Sequence, residues 1–394
     1  MSWFHLGVLA IAHHHAFHGV GANGAIDVPF GLETNDCLRA RLNVHGLLLS
    51  SLNQTQAKDQ KIAKIMLRES QPAHGQAHDS LHWLRMKTAF LFPGQGSQYA
   101  GMGKTLAERF QVAQEVFASA DKALDFPLSK LCFEGPAEAL QLTENTQPAL
   151  LAVSVAALRV LENHGLKPDY VAGHSLGEYS ALVAARSLDF ADALRLVRKR
   201  GQYMQAAVPA GVGAMAALLK LPEGALDAIL ADAAQGEVVS AANLNSPDQV
   251  VIAGHTGAVA RALELAKAAG ARRAVLLPVS APFHCSLMKP AQERLASDLD
   301  AVEFRDLAVP LVNNFAARVI RTGAEARQGL YQQVPNPVRW AESIRKLASE
   351  GVDRFIEVGA GGVLTGLLRN INPELKGSKI GEAEDWEKIN AAAS

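Results

Sequence analysis

The chain has 394 residues, 49% hydrophobic and 20% charged, which is enough apolar material for a large core and excludes a peptide, a fibre or a disordered polymer. Its 38 lysines and arginines balance 39 aspartates and glutamates, and a net charge of -1 leaves no electrostatic footprint for nucleic acid or an anionic membrane surface. Cys37, Cys132 and Cys285 are too scattered for a disulfide framework and point to a reducing compartment, the cytoplasm, and no apolar run reaches the roughly 18 residues that span a bilayer.

Nine of the 13 histidines (His5, His13, His14, His15, His18, His45, His74, His78 and His82) precede Met86. Residues 1–85 carry no sustained period beyond a short helix through Ile62, Ile65 and Met66, so they are expected to form a disordered extension, with Met86 the true initiator. Imidazoles at His13, His14, His15 and His18 suit zinc, nickel or copper, but no carboxylate or thiol follows at ligand spacing, and no metal site is expected. Residues 1–12 are apolar without a positive n-region, so no signal peptide is read there.

From Met86 onward strands and helices alternate. Residues 88–92 read as a buried strand running into Pro93-Gly94-Gln95-Gly96, and 147–163 as an apolar helix closed by Gly165. A second strand at 170–173 is followed at once by a helix over 175–185, and another helix runs from the N-cap Asp189 to about 205. Between 208 and 281 the order becomes strand 214–219, helix 223–234, strands 238–242 and 249–253, helix 257–268 and strand 271–277, a βαββαβ pattern. Strands near 309–313 and 354–358 and a helix from about 338 resume the first rhythm. The fold class is therefore α/β: an α/β-hydrolase-like large subdomain with a parallel sheet (86–207 and 282–394) and an inserted ferredoxin-like small subdomain (208–281), after the 1–85 extension.

Gly173-His174-Ser175-Leu176-Gly177 matches G-x-S-x-G between a strand and a helix, where a sharp turn exposes a serine Oγ and a helix N-terminus offers N–H groups to an oxyanion. A serine nucleophile needs a base. Of His164, His174, His255 and His284, the last stands where the small subdomain returns to the large one and is the best candidate, a structural histidine being the competing reading. Arg200 aligns with Ala193, Leu196 and Tyr203 on the buried face of its helix, so its permanent charge must meet either an internal carboxylate or a substrate's. Pro93-Gly94-Gln95-Gly96-Ser97 lies where an open sheet places ligand loops, and Gly101-Met102-Gly103-Lys104-Thr105 lacks the upstream glycine of a phosphate-binding loop. An N–H of the first loop could join that of Leu176 in an oxyanion hole.

These segments, with Gln202-Tyr203-Met204, Pro282-Phe283-His284-Cys285, Asn336-Pro337-Val338 and Gly359-Ala360-Gly361-Gly362-Val363-Leu364-Thr365-Gly366-Leu367, stand in the order of malonyl-CoA:acyl carrier protein transacylases, which the chain resembles from 86 to about 380. The resemblance implies that Ser175 is the nucleophile and His284 its base. It further implies that Arg200 binds the malonyl carboxylate, that Gln95 and Leu176 give the oxyanion N–H groups, and that the Gln333 carbonyl orients His284. Here Pro335 is inserted between Val334 and Asn336, and Gly-Ala-Gly-Gly-Val replaces the Gly-Pro-Gly-x-Val of many relatives. The implied partners are malonyl-CoA and acyl carrier protein, with a fatty-acid-synthesis role, no cofactor, no metal and a monomeric state. Phe283 leaves little room for a branched acyl group, and Arg195, Arg198, Lys199, Arg272 and Arg273 are candidates for a basic carrier patch. Two rivals stand beside this reading: a serine hydrolase or thioesterase, which wants an acid such as Asp232 or Asp248 as third member, and a noncatalytic carrier-binding module.

Overall fold

The computed structural model describes residues 86–279 and 281–391. The expectations for residues 1–85, namely the extension, its histidine cluster, the helix through Ile62, Ile65 and Met66, and Cys37, lie outside the described residues.

Strand β1 (Lys87–Phe92) sets the architecture. Phe90 and Phe92 enter one apolar core and Ala89 and Leu91 a second, because successive side chains of a strand leave opposite faces. A strand buried on both faces belongs inside a parallel sheet covered by helices. β1 pairs in parallel with β2 (Tyr170–Gly173) and β9 (Val352–Val358); β10 (Lys376–Ile380) joins β9, and β7 (Leu311–Val312) joins β2. With β8 (Val319–Ile320) the order is β10-β9-β1-β2-β7-β8. The expected all-parallel sheet is corrected at its edge: β8 runs antiparallel to β7. Only residues 313–318 separate the two, far too few for the crossover that a parallel pair requires.

One face of this sheet carries α1 (Gln111–Leu124), α2 (Thr143–Asn163), α3 (Gly177–Ala184) and α4 (Phe190–Ala206). α2 is buried all round from Thr146 to Leu158, where its sequence is mostly apolar. It begins one turn before the expected 147, so Pro148 lies inside it and leaves the Glu144 carbonyl without its i+4 donor. α4 starts where the sequence placed its cap, with the Asp189 carboxylate accepting from the N–H groups of Ala191 and Asp192.

The second sheet is built from β3 (Gly213–Leu219), α5 (Ala225–Ala234), β4 (Val239–Ser246), β5 (Gln249–His255), α6 (Thr256–Ala268) and β6 (Arg273–Leu276), the element order read from the sequence. Its strands lie antiparallel in the order β4-β5-β3-β6. Ala214, Ala216 and Leu218 pack on α5 and α6, whereas Met215 and Val251 turn to the main core. α7 (Lys289–Asp300) and α8 (Gly323–Gln333) follow; α9 (Trp340–Ser349) and α10 (Val363–Ile371) cover the far face of the main sheet. Among the described residues no helix is long and apolar enough to cross a membrane.

Removing the α4 cap by Asp189→Ala is expected to lower the unfolding free energy by about 1 kcal/mol, measured by urea denaturation.

Candidate active site

The main sheet delivers β2 to a turn in which every small residue has a steric reason. A Cβ on Gly173 would lie 1.9 Å from the Gly177 carbonyl, one on Gly177 2.0 Å from the Phe92 oxygen, and one on Gly94 2.4 Å from the His174 oxygen. Between these contacts Ser175 is forced to a φ of 53°, a left-handed backbone that costs a non-glycine residue about 1–3 kcal/mol. That conformation delays the helix expected from 175, and α3 starts at Gly177. Two side-chain amides hold the turn. Asn314 Nδ2 donates to the Gly173 carbonyl at 2.6 Å and its Oδ1 accepts from the Ser175 N–H at 2.7 Å, while Gln333 Nε2 donates to the Ser175 carbonyl at 3.0 Å.

His284 comes from the segment after β6 and meets this serine, its Nε2 2.7 Å from Ser175 Oγ. Its Nδ1 lies 3.0 Å from the Gln333 carbonyl, an acceptor only, so Nδ1 carries the proton and Nε2 is left to accept from the hydroxyl. Among the described residues no carboxylate stands behind the ring; Asp248 sits in the turn between β4 and β5, and Asp232 on α5. His284 is buried, with φ 60°. Burial, then the Arg200 charge, pushes its imidazole down to about 3, so it is a neutral base at physiological pH. The other three candidate histidines are held by different partners, His174 among them although it lines the cleft beside Ser175. His174 is held by Asn245 Oδ1 at 2.8 Å beneath the Trp340 ring, His164 caps α2 and packs on Trp386, and His255 accepts from the Val238 N–H.

Arg200 enters from α4 and is 2% exposed. Gly201 makes this possible, because a Cβ there would be 2.7 Å from the Glu144 Cα of α2. The guanidinium donates to Gln147 Oε1 at 2.7 Å, Gln333 Oε1 at 2.9 Å and Ser175 Oγ at 3.1 Å, with Nε unpartnered, and lies over the Tyr179 ring. All three acceptors are neutral. Glu178 is buried behind them and accepts from Gln333 Nε2 at 2.8 Å and the Asn314 N–H at 3.0 Å, touching Arg200 only through the field. Burial lifts its carboxyl to about 7 against the pull of those donors and of Arg200.

These groups open on a cavity of about 860 Å³, also lined by Gln95, Leu176 and Phe283. Leu176 precedes α3, so its N–H has no carbonyl four residues back within the helix. The structure thus gathers Ser175, His284, Arg200, Gln333, Gln95 and Leu176 at one place. The constellation supplies a nucleophile, a neutral base and a cation beside the reacting oxygen, the requirements of acyl transfer on an acid-bearing substrate. The five basic candidates are divided: Arg195 and Lys199 on α4 pair with Asp192 and Asp298 and Arg198 covers Phe126, while Arg272 and Arg273 lie at β6. Among the described residues no three His, Cys, Asp or Glu side chains cluster to hold a metal ion. Sequence reasoning missed Asn314, Gln147 and Asn245, and quoted Glu178 in its motif without assigning it work.

Residues 89–379 match the acyl transferase domain family. The chain is 51% identical over 302 residues to a malonyl CoA-acyl carrier protein transacylase of Bacillus subtilis (strain 168), covering 76% of this chain and 95% of that one. It is 50% identical over 295 residues to the Escherichia coli (strain K12) protein of that name, covering 75% and 96%. Among solved structures, an acyl carrier protein S-malonyltransferase from Vibrio cholerae is similar with a TM-score of 0.75 and 48% identity, over 77% of this chain and 99% of that chain. A malonyl-transacylase in complex with its type II polyketide acyl carrier protein gives 0.76 and 45%, over 78% and 99%.

Because the folded imidazole titrates far below its ordinary 6.5, the unfolded chain takes up a proton first as pH falls, and stability is lost below pH 6.5. Between pH 7 and 5 this single group accounts for about 2 kcal/mol. His284→Gln is expected to lose that much less stability over the interval than the wild type, by urea unfolding of both proteins at each pH.

Proposed function

The chain belongs to the acyl transferase family, and from that premise we infer that it is an [acyl-carrier-protein] S-malonyltransferase, moving malonyl from malonyl-CoA to the phosphopantetheine thiol of acyl carrier protein for fatty acid synthesis. The observation that carries this reading is that Ser175 Oγ faces His284 Nε2 and Arg200 Nη2 together.

In the first step His284 Nε2 takes the hydroxyl proton as Ser175 Oγ attacks the thioester carbon. The N–H groups of Gln95 and Leu176 receive the oxyanion, each such donor contributing about 3 kcal/mol. The intermediate collapses by breaking the C–S bond, the imidazolium returns its proton to the departing thiolate, and coenzyme A leaves a malonyl-serine ester. The carrier's thiol then enters the cavity, gives its proton to His284 and attacks that ester, and Ser175 recovers its proton. Gln333 keeps the imidazole in the required tautomer through its carbonyl. Arg200 receives the malonyl carboxylate: it is charged and buried among neutral oxygens, and a charge left uncompensated in such a site costs about 3–5 kcal/mol. This chemistry calls for no cofactor beyond the coenzyme A of the substrate.

We read the two sheets as an α/β-hydrolase-like large subdomain (86–207 and 282–394) carrying a ferredoxin-like insert (208–281), in a cytoplasmic, monomeric protein; the few, scattered cysteines support the compartment. The hydrolase reading is not favoured, since the position behind His284 holds a carbonyl and Arg200 has no work in a simple esterase.

Intact-mass measurement after incubation with malonyl-CoA tests the assignment: a malonyl adduct on Ser175 that is discharged by holo-carrier is expected, whereas release of free malonate without carrier would mark a hydrolase. Arg200→Ala is expected to reduce malonyl transfer at least about 100-fold more than acetyl transfer. Equal losses would overturn its role.

A further inference from the structure

Two hydrogen bonds from one side chain bracket His174, the residue just before the nucleophile, one to the Gly173 carbonyl and one from the Ser175 N–H. Asn314 is fully buried two residues after β7, the strand that pairs with β2 and so lies beside the Ser175 turn. Its amide spans the turn as a peptide group would, giving a proton to the Gly173 carbonyl and taking one from the Ser175 N–H. Both groups would otherwise have to find partners across a backbone that φ 53° turns away from β2 and from α3. The amide is itself oriented. The Asn314 N–H is tied to Glu178 Oε2, and Gln333 Nε2, which bonds the same carboxylate oxygen, stands 3.4 Å from Asn314 Oδ1.

We propose that Asn314 is a positioning residue for acyl transfer, clamping Gly173 and Ser175 so that Ser175 Oγ is held at once on His284 and Arg200, with Glu178 as the fixed anchor of the clamp. This rests on Ser175 being the nucleophile of the preceding section. Asn314 is not among the residues that line the cavity. It acts by keeping the left-handed serine from relaxing, and a reacting oxygen displaced by about 1 Å loses on the order of 100-fold in rate.

Single-turnover malonylation of Ser175, followed by intact mass, separates this from a merely structural role. Asn314→Ala is expected to slow the first-order acylation constant about 10- to 100-fold while the final fraction of malonylated protein and the half-saturating malonyl-CoA concentration stay at wild-type values. A smaller final fraction reached at the wild-type rate would mean lost folding and would overturn the proposal, as would an unchanged rate.

Asn314→Asp supplies the conservative variant and carries the test if the alanine variant does not fold. Ionised, the introduced carboxyl can accept from the Ser175 N–H but opposes the Gly173 carbonyl; protonated, it reproduces the donor and acceptor of the amide. Glu178 from α3, Arg200 from α4 and His284 face the same site in both proteins, so the rate is taken relative to wild type at each pH. That ratio is expected to rise at least about five-fold from pH 8 to 5.5, since burial favours the protonated form. A flat ratio would overturn the clamp. Labelling of Ser175 by a neutral sulfonyl fluoride runs in parallel. If wild type forms no malonyl-serine, the functional reading fails, while slower sulfonylation of the Asn314 variants still supports the clamp and unchanged sulfonylation refutes it.

Discussion

Everything in the site is organised around one buried amide residue, Gln333. Its carbonyl orients His284, its Oε1 accepts from Arg200, and its Nε2 serves both the Ser175 carbonyl and Glu178. Base, cation and nucleophile therefore share a single rigid body at the end of α8, itself started by a capping box between Thr322 and Glu325. Because an amide presents donor and acceptor in fixed geometry, its Oε1 faces the guanidinium and its Nε2 the carboxylate. The Arg200 guanidinium and the Glu178 carboxyl communicate through a neutral group, without direct contact. That separation leaves Arg200 available to an incoming carboxylate, with Glu178 moderating the cost of burying it.

Close approach of backbones is the second constraint. Gly94 and Gly177 let the loop after β1 and the turn after β2 touch at main-chain distance, with Gly173 letting that turn close on itself, and Gly201 lets α4 slide onto the start of α2. The first contact aims the serine and the second aims the arginine. Since both contacts meet above the ends of the same two parallel strands, the cavity forms where an open sheet customarily holds its ligands.

Much of this was legible in the chain because the signals were local. Gly173 to Gly177 encode the turn by sterics alone, Asp189 fixes where α4 begins, and the 3.6-residue period then determines that Arg200 is inside. The order of the second sheet was readable from alternating strand and helix patterns, although β6 is shorter than 271–277 and β4 runs on to Ser246, an extension in which Asn243 and Asn245 interrupt any apolar period. Helices α1, α7, α8 and α10 went unread: α1, α7 and α10 have no side-chain cap to mark their starts, whereas α8 does carry a legible one in the Thr322 and Glu325 capping box. Gln333 was identified by resemblance despite the inserted Pro335, and its carbonyl sits 3.0 Å from His284. Its side-chain work was invisible, as were Asn314 and the anchoring role of Glu178, since each exists only once β7, α3 and α8 are brought together. Nothing within a few residues of Asn314 distinguishes it from a turn asparagine.

The left-handed backbone at Ser175 also bears on which atoms could ever have served as nucleophile there. A β-branched side chain is the worst occupant of positive φ, so a threonine hydroxyl is closed to this elbow by main-chain sterics before any question of reactivity arises. A cysteine meets the same backbone with the branching of serine, and the neighbouring imidazole would serve its thiol as readily. The turn thus selects its chemistry by shape: it admits a serine ester or a cysteine thioester and excludes a threonine ester through geometry alone.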